Sequence, residues 1–140
     1  MTKKVLFLCT GNSCRSQMAE GYLKELSKEK QESVEAFSAG LLPSQVHPLA
    51  IQVMDEDGVD ISQQQSKEIS IFKNGDFDYV ITLCDDAKNT CPTLPAKKQI
   101  HWSITDPASF SGEDKEKLAF FRKIRNDIKN RIESFINKEI

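Results

Sequence analysis

Apolar residues along this chain alternate between two periods. Lys3 to Leu8 is a nearly unbroken apolar run, the pattern of a strand buried on both faces. A Gly-containing loop follows, and Ser16 to Lys28 then sets Ala19, Tyr22, Leu23 and Leu26 on one helical face. Ser33 to Ser38 predicts a short second strand, stopped by Gly40. Pro48 to Glu56 carries Leu49, Ala50, Val53 and Met54 at helical spacing, with Gly58 placed as a C-cap. Ser66 to Phe72 shows a less regular helical pattern. Phe77 to Leu83, with Tyr79, Val80 and Ile81, predicts a third strand, and Gln99 to Trp102 a short fourth. The longest helix is predicted over Glu113 to Asn137, where Leu118, Phe121, Ile124, Ile128, Ile132 and Phe135 recur every three or four residues. Ser111 and Asp114 have the spacing of a capping box.

Strands alternating with helices imply parallel strands joined by right-handed crossovers. The expected fold is α/β, with a parallel four-stranded sheet flanked by helices and residues 1–140 forming a single domain. In such sheets ligands sit beyond the carboxyl ends of the strands. The loops after Leu8, Leu83 and Trp102 are therefore expected on one edge, bringing Cys9, Cys84 and Asp106 together.

Composition narrows the chemistry. A hydrophobic fraction of 39% supports one core, and a charged fraction of 29% is mixed in sign. The net charge of -2 leaves no broad basic surface, so no nucleic-acid partner is expected. No stretch approaches the ~18 apolar residues of a membrane span. Val5 to Leu8 is far too short for the apolar region of a signal peptide. The expectation is a cytoplasmic protein, where thiols stay reduced and four cysteines read as catalytic, metal-binding or buried. Six residues separate Cys84 from Cys91, there is no C-x-x-C, and His47 and His101 are the only histidines. No metal site is expected from that spacing.

The segment Cys9-Thr10-Gly11-Asn12-Ser13-Cys14-Arg15-Ser16 follows a buried strand and opens an amphipathic helix. Successive backbone N–H groups and the helix N-terminus there make a cradle for a small oxyanion. Arg15 can add a bidentate fork, and the same field favours a thiolate at Cys9 over the free-thiol value near ~8.5. Ser16 can donate to that sulfur, and Gly11 lets the backbone approach the anion. Taken alone, a cysteine and an arginine six positions apart would be a buried thiol beside a surface cation. The strand-loop-helix context turns the reading to catalysis.

This C-x5-R-S loop resembles the phosphate loop of low-molecular-weight protein tyrosine phosphatases. The longer run from Cys9 through Gln17-Met18-Ala19-Glu20-Gly21 is similar to the thioredoxin-coupled arsenate reductases that share that fold. So are Ser38-Ala39-Gly40, Thr82-Leu83-Cys84, Cys91-Pro92, His101-Trp102 and Asp106-Pro107-Ala108. The resemblance implies reduction of arsenate to arsenite, with Thr10 to Ser16 holding the oxyanion and Cys9 attacking it. It implies Asp106 as the acid and a disulfide cascade through Cys84 and then Cys91, regenerated by thioredoxin ahead of glutaredoxin, with no tightly bound cofactor. Cys14 is not needed for that relay and reads as a packing thiol. Thr105 stands where related reductases usually carry a second acid, a departure that bears on the acidity of Asp106. Asn12, Glu20 and Ser38 match potassium-binding positions of some relatives. Lys67 stands where the remaining acidic ligand is expected, and an ammonium there would repel the cation. His47 and Trp102 read as packing residues, and the chain as a monomer.

Two rival readings remain. A phosphatase acting on phosphotyrosine would use Cys9, Arg15 and Asp106 and ignore Cys84 and Cys91, but only Phe110 offers an aromatic wall near the acid. A non-enzymatic oxyanion sensor would have no need of the Asp-Pro loop. If the segment from Cys84 to Cys91 is helical when reduced, its ends lie ~10 Å apart and it must unwind before the two sulfurs can bond.

Overall fold

The computed structural model describes residues 2–84 and 93–140. The elements run β1 (Lys3–Cys9), α1 (Arg15–Glu29), β2 (Val34–Gly40), α2 (Pro48–Glu56), a 3-10 turn (Ile69–Phe72), β3 (Phe77–Thr82), β4 (Ala96–His101), a 3-10 turn (Pro107–Ser109) and α3 (Asp114–Glu139). The strands form one sheet in the order β2-β1-β3-β4, and each pair is parallel. β1 sits centrally, which explains its unbroken apolar run: Val5, Leu6, Phe7 and Leu8 are all fully buried.

Each face of the sheet has its own core. On one, Val5, Phe7, Ile81 and Ile104 pack against Met18, Tyr22 and Leu23 of α1 and Phe121, Ile124, Ile128, Ile132 and Phe135 of α3. On the other, Leu6, Leu8, Ala39, Phe77 and Val80 meet Phe37, Ile69 and Phe72. Gly58, at φ 78°, terminates α2 in the left-handed region, as its spacing predicts.

Three predicted features are corrected. β4 starts at Ala96, not Gln99, because it is an edge strand whose exposed Lys97 and Lys98 mask the apolar pattern. Those lysines pair with Asp78 and Glu139. The helical pattern over Ser66 to Phe72 yields one 3-10 turn. Its first residues instead commit their backbone elsewhere: Lys67 O accepts from Gly40 N, and Lys67 N donates to Asn12 Oδ1. The N-terminus of α3 is capped by Glu113 and not by Ser111; the Glu113 N–H donates to Glu116 Oε1 at 3.3 Å. Glu116 is long enough to reach back over the first turn.

No helix among the described residues is long and apolar enough to cross a membrane.

Candidate active site

Residues 10–14 connect the end of β1 to the first turn of α1. Four successive carbonyls of this loop are held from behind. Thr10 O accepts from Leu42 N at 2.9 Å and Ser13 O from His47 N at 3.0 Å. Gly11 O accepts from Ser66 Oγ at 3.1 Å, and Asn12 O from Gln17 Nε2 at 3.0 Å. No backbone acceptor among the described residues takes the N–H groups of residues 11–14. Carbonyls anchored outward and amides left over at a helix N-terminus are the arrangement an oxyanion needs. Gly40 backs the loop closely: a Cβ there would lie 2.7 Å from Thr10 O and 2.8 Å from Asn12 N. Any larger residue would push the cradle out of shape.

Cys9 is buried at the loop's start, with its Sγ 2.8 Å from Ser16 Oγ. Asn12 Nδ2 donates to the same Ser16 Oγ at 2.8 Å. Asn12 itself has φ 48°, in the left-handed region that asparagine tolerates better than most residues. Cys14 is as buried as Cys9, and both are free thiols. Burial pushes the Cys14 thiol up to about 12, so it stays protonated, in keeping with a packing role.

Arg15 ties the strand ends together. Its Nη1 donates to Leu83 O at 3.1 Å, past the end of β3, and to Ile104 O at 2.9 Å, past the end of β4. Its Nη2 lies 3.8 Å from Asp106 Oδ2. The other oxygen of Asp106 accepts from Ala108 N at 3.0 Å and caps the turn that follows. Leu83 N donates to Leu8 O, so Cys9, the last residue of β1, and the buried Cys84, two residues past β3, lie at neighbouring strand ends. The structure thus gathers the anion loop, Cys84 and Asp106 at one edge. Cys91 and residues 85–90, whose rearrangement on disulfide formation is expected, lie outside the described residues.

At the positions matched to potassium ligands, Glu20 is buried and accepts from Ser38 Oγ at 2.5 Å and from Lys24 Nζ at 2.6 Å. The Lys67 ammonium lies 3.9 Å from Glu20 Oε1. Burial lowers the Lys67 pKa and Glu20 opposes the shift. Asn12 Oδ1 is occupied by the Lys67 and Gln17 donors. No cluster of three metal-ligating side chains occurs among the described residues.

His47 and Trp102 are packing residues. His47 caps α2 through Nδ1 and packs at a tilt against Phe121, and Trp102 lies between Phe7 and Phe135. Phe110 stacks on Phe120 with ring centroids 4.8 Å apart. Leu42, 70% exposed, supplies an apolar rim beside the anion loop that the sequence pattern does not single out. Nor does it single out Gln17, Gln64 and Ser66, whose bonds join segments about fifty residues apart.

A family model described as low molecular weight phosphotyrosine protein phosphatase matches residues 4–140. An arsenate reductase of Halalkalibacterium halodurans is 46% identical over 137 residues, covering 96% of each chain. A solved arsenate reductase in a phosphate-binding state is 41% identical, with TM-score 0.79 over 97% of this chain and 98% of that one. A thioredoxin-dependent arsenate reductase of Corynebacterium glutamicum is 34% identical, with TM-score 0.68, over 97% of this chain and 61% of that longer one.

Proposed function

The chain belongs to the low molecular weight phosphotyrosine protein phosphatase family, and from that premise we propose that it reduces arsenate to arsenite, with Cys9, Cys84 and Cys91 acting in sequence. The observation that carries this reading is the placement of Cys84. It directly follows Leu83, whose carbonyl is bound by the same Arg15 that serves the anion loop, beside the strand end bearing Cys9. A phosphatase needs no second thiol at that point.

Arsenate enters the cradle, held by the loop amides and Arg15. The Cys9 thiolate attacks arsenic while Asp106 gives a proton to the departing oxygen, which leaves as water. Cys84 attacks Cys9 Sγ; the sulfur–arsenic bond breaks with its electron pair passing to arsenic, and arsenite leaves. The resulting Cys9–Cys84 disulfide is attacked by Cys91, which frees Cys9 and forms Cys84–Cys91. A dithiol protein of the thioredoxin class supplies the two electrons that reset it. This chemistry suits a monomer in a reducing cytoplasm. The Lys67 ammonium beside Glu20 supports a cradle that works without potassium.

The test is arsenate-dependent NADPH oxidation with thioredoxin and its reductase, with glutaredoxin run in parallel. Cys9→Ser is expected to show no turnover. Cys91→Ser should release one arsenite per enzyme and then stall with Cys9 bound to Cys84, visible by mass mapping. Sustained cycling of Cys91→Ser would end the relay at Cys84. A phosphatase side activity is also supported, since Cys9, Arg15 and Asp106 suffice for it. Aryl phosphate hydrolysis should survive Cys84→Ser.

A further inference from the structure

Gln17 is fully buried on α1, two residues beyond Arg15. Its Nε2 lies 3.0 Å from each of three acceptors: Asn12 O, Asn12 Oδ1 and Gln65 O. Its Oε1 accepts from Gln64 Nε2 at 2.8 Å, and Gln64 also donates to Gln17 O at 3.1 Å. The carboxamide is therefore held in one sense. Turning it over would set its oxygen against three acceptors and its nitrogen against a donor. A buried amide costs free energy unless its bonds are made, and the Nε2 bonds of this one run to the anion loop and to the segment that backs it.

We propose that Gln17 is a positioning residue for Cys9: it grips Asn12 so that Ser16 must point its hydroxyl proton at the Cys9 sulfur. The chain of donors is directional. Gln17 Nε2 and the Lys67 N–H both donate hydrogen bonds to Asn12 Oδ1, which leaves the Nδ2 end of Asn12 facing Ser16. That N–H occupies a lone pair on Ser16 Oγ, and the Ser16 proton is left for Cys9 Sγ at 2.8 Å. A hydrogen bond donated to sulfur favours the thiolate over the thiol. Gln17 also holds the carbonyl of Asn12, whose left-handed backbone the cradle requires.

This inference rests on the reading of Cys9 as an activated nucleophile, and one experiment separates the two. Iodoacetamide alkylation of Cys9, resolved from the other thiols by peptide mass, is followed across pH on the reduced full-length chain. Wild type, Gln17→Met and Gln64→Ala are compared, with thermal melting measured alongside. Gln17→Met should slow Cys9 alkylation near pH 6.5 on the order of tenfold and move its pH midpoint upward. Gln64→Ala should do the same more weakly. A purely structural Gln17 would lower the melting temperature and leave the Cys9 profile in place, which would overturn the proposal. If Gln17→Met does not fold, an unshifted profile in Gln64→Ala overturns it. A wild-type Cys9 that titrates like an ordinary thiol would instead remove the nucleophile reading itself, and this inference with it.

Discussion

The anion loop and the acid loop face each other across Arg15, and they are built in opposite ways. The anion loop buries Asn12 and Cys14 and is anchored from behind at four successive carbonyls by Leu42, Ser66, Gln17 and His47. The acid loop is tied to distant sequence through Arg15, and its other hydrogen bonds are local: Asp106 caps its own 3-10 turn, Ser109 Oγ donates to Asp106 O, and the Asp106 carboxyl is 38% exposed. The difference follows from what each must do. Stabilising charge on an oxyanion needs dipoles fixed before the substrate arrives. Delivering a proton needs a group that exchanges with water between turnovers and reaches inward when needed.

That contrast can be broken most severely at Arg15. Arg15→Lys replaces a planar fork with a point charge that cannot hold two carbonyls and an oxyanion together. A loss in kcat/KM for arsenate on the order of a thousandfold is expected. A near-normal value in steady-state kinetics would show that the cradle works without its clamp. Asp106→Asn should cost less, on the order of a hundredfold, and should fall on kcat with little change in oxyanion affinity. If phosphate inhibition weakens in parallel with kcat, Asp106 belongs to the cradle and the division between the loops fails.

The smallest effect is expected at His47, which joins the two regions. Its N–H holds Ser13 O of the anion loop, and its ring faces Asp106 and Lys117. Burial lowers its pKa below the ordinary 6.5, with Asp106 opposing the shift and Lys117 adding to it. Nδ1 must stay unprotonated to accept from Leu49 N. As pH falls through about 6.5 the unfolded chain takes up a proton that the folded chain resists, so stability drops toward acid. His47→Asn keeps an N-cap acceptor and removes the titration. Its urea midpoint should change less than that of wild type between pH 7.5 and 5.5. An equal drop in both would assign the acid sensitivity elsewhere.

Much of this site was legible in the residues because its signals are local. The apolar run of β1, the C-x5-R-S loop and the start of α1 are contiguous, and strand alternation alone places Cys84 and Asp106 at the same edge. The support behind the loop left no such trace. Gln64, Gln65 and Ser66 have no periodicity to betray them, and their partners are distant in the chain. Gln17 sits in a helix whose first nine residues are all buried, a burial that its own polarity does not signal. β4 was read short because edge lysines hide a strand that is defined by pairing on one side only.

The terminal helix has a bearing on the order in which the molecule is assembled. α3 is 26 residues long, roughly 39 Å, and supplies Phe121, Ile124, Ile128, Ile132, Phe135 and Ile136 to the larger core. Synthesis runs from the N-terminus, so the nucleophile and its loop are made first, while the layer that covers them is made last. Until then the sheet lacks part of the cover for one face. A nascent chain carries Cys9 on a scaffold whose larger core is still open. Closure of the core thus waits on the last residues made: a chain broken off before α3 holds every residue of the site and of the bonds that anchor it, over a core that one helix has yet to close.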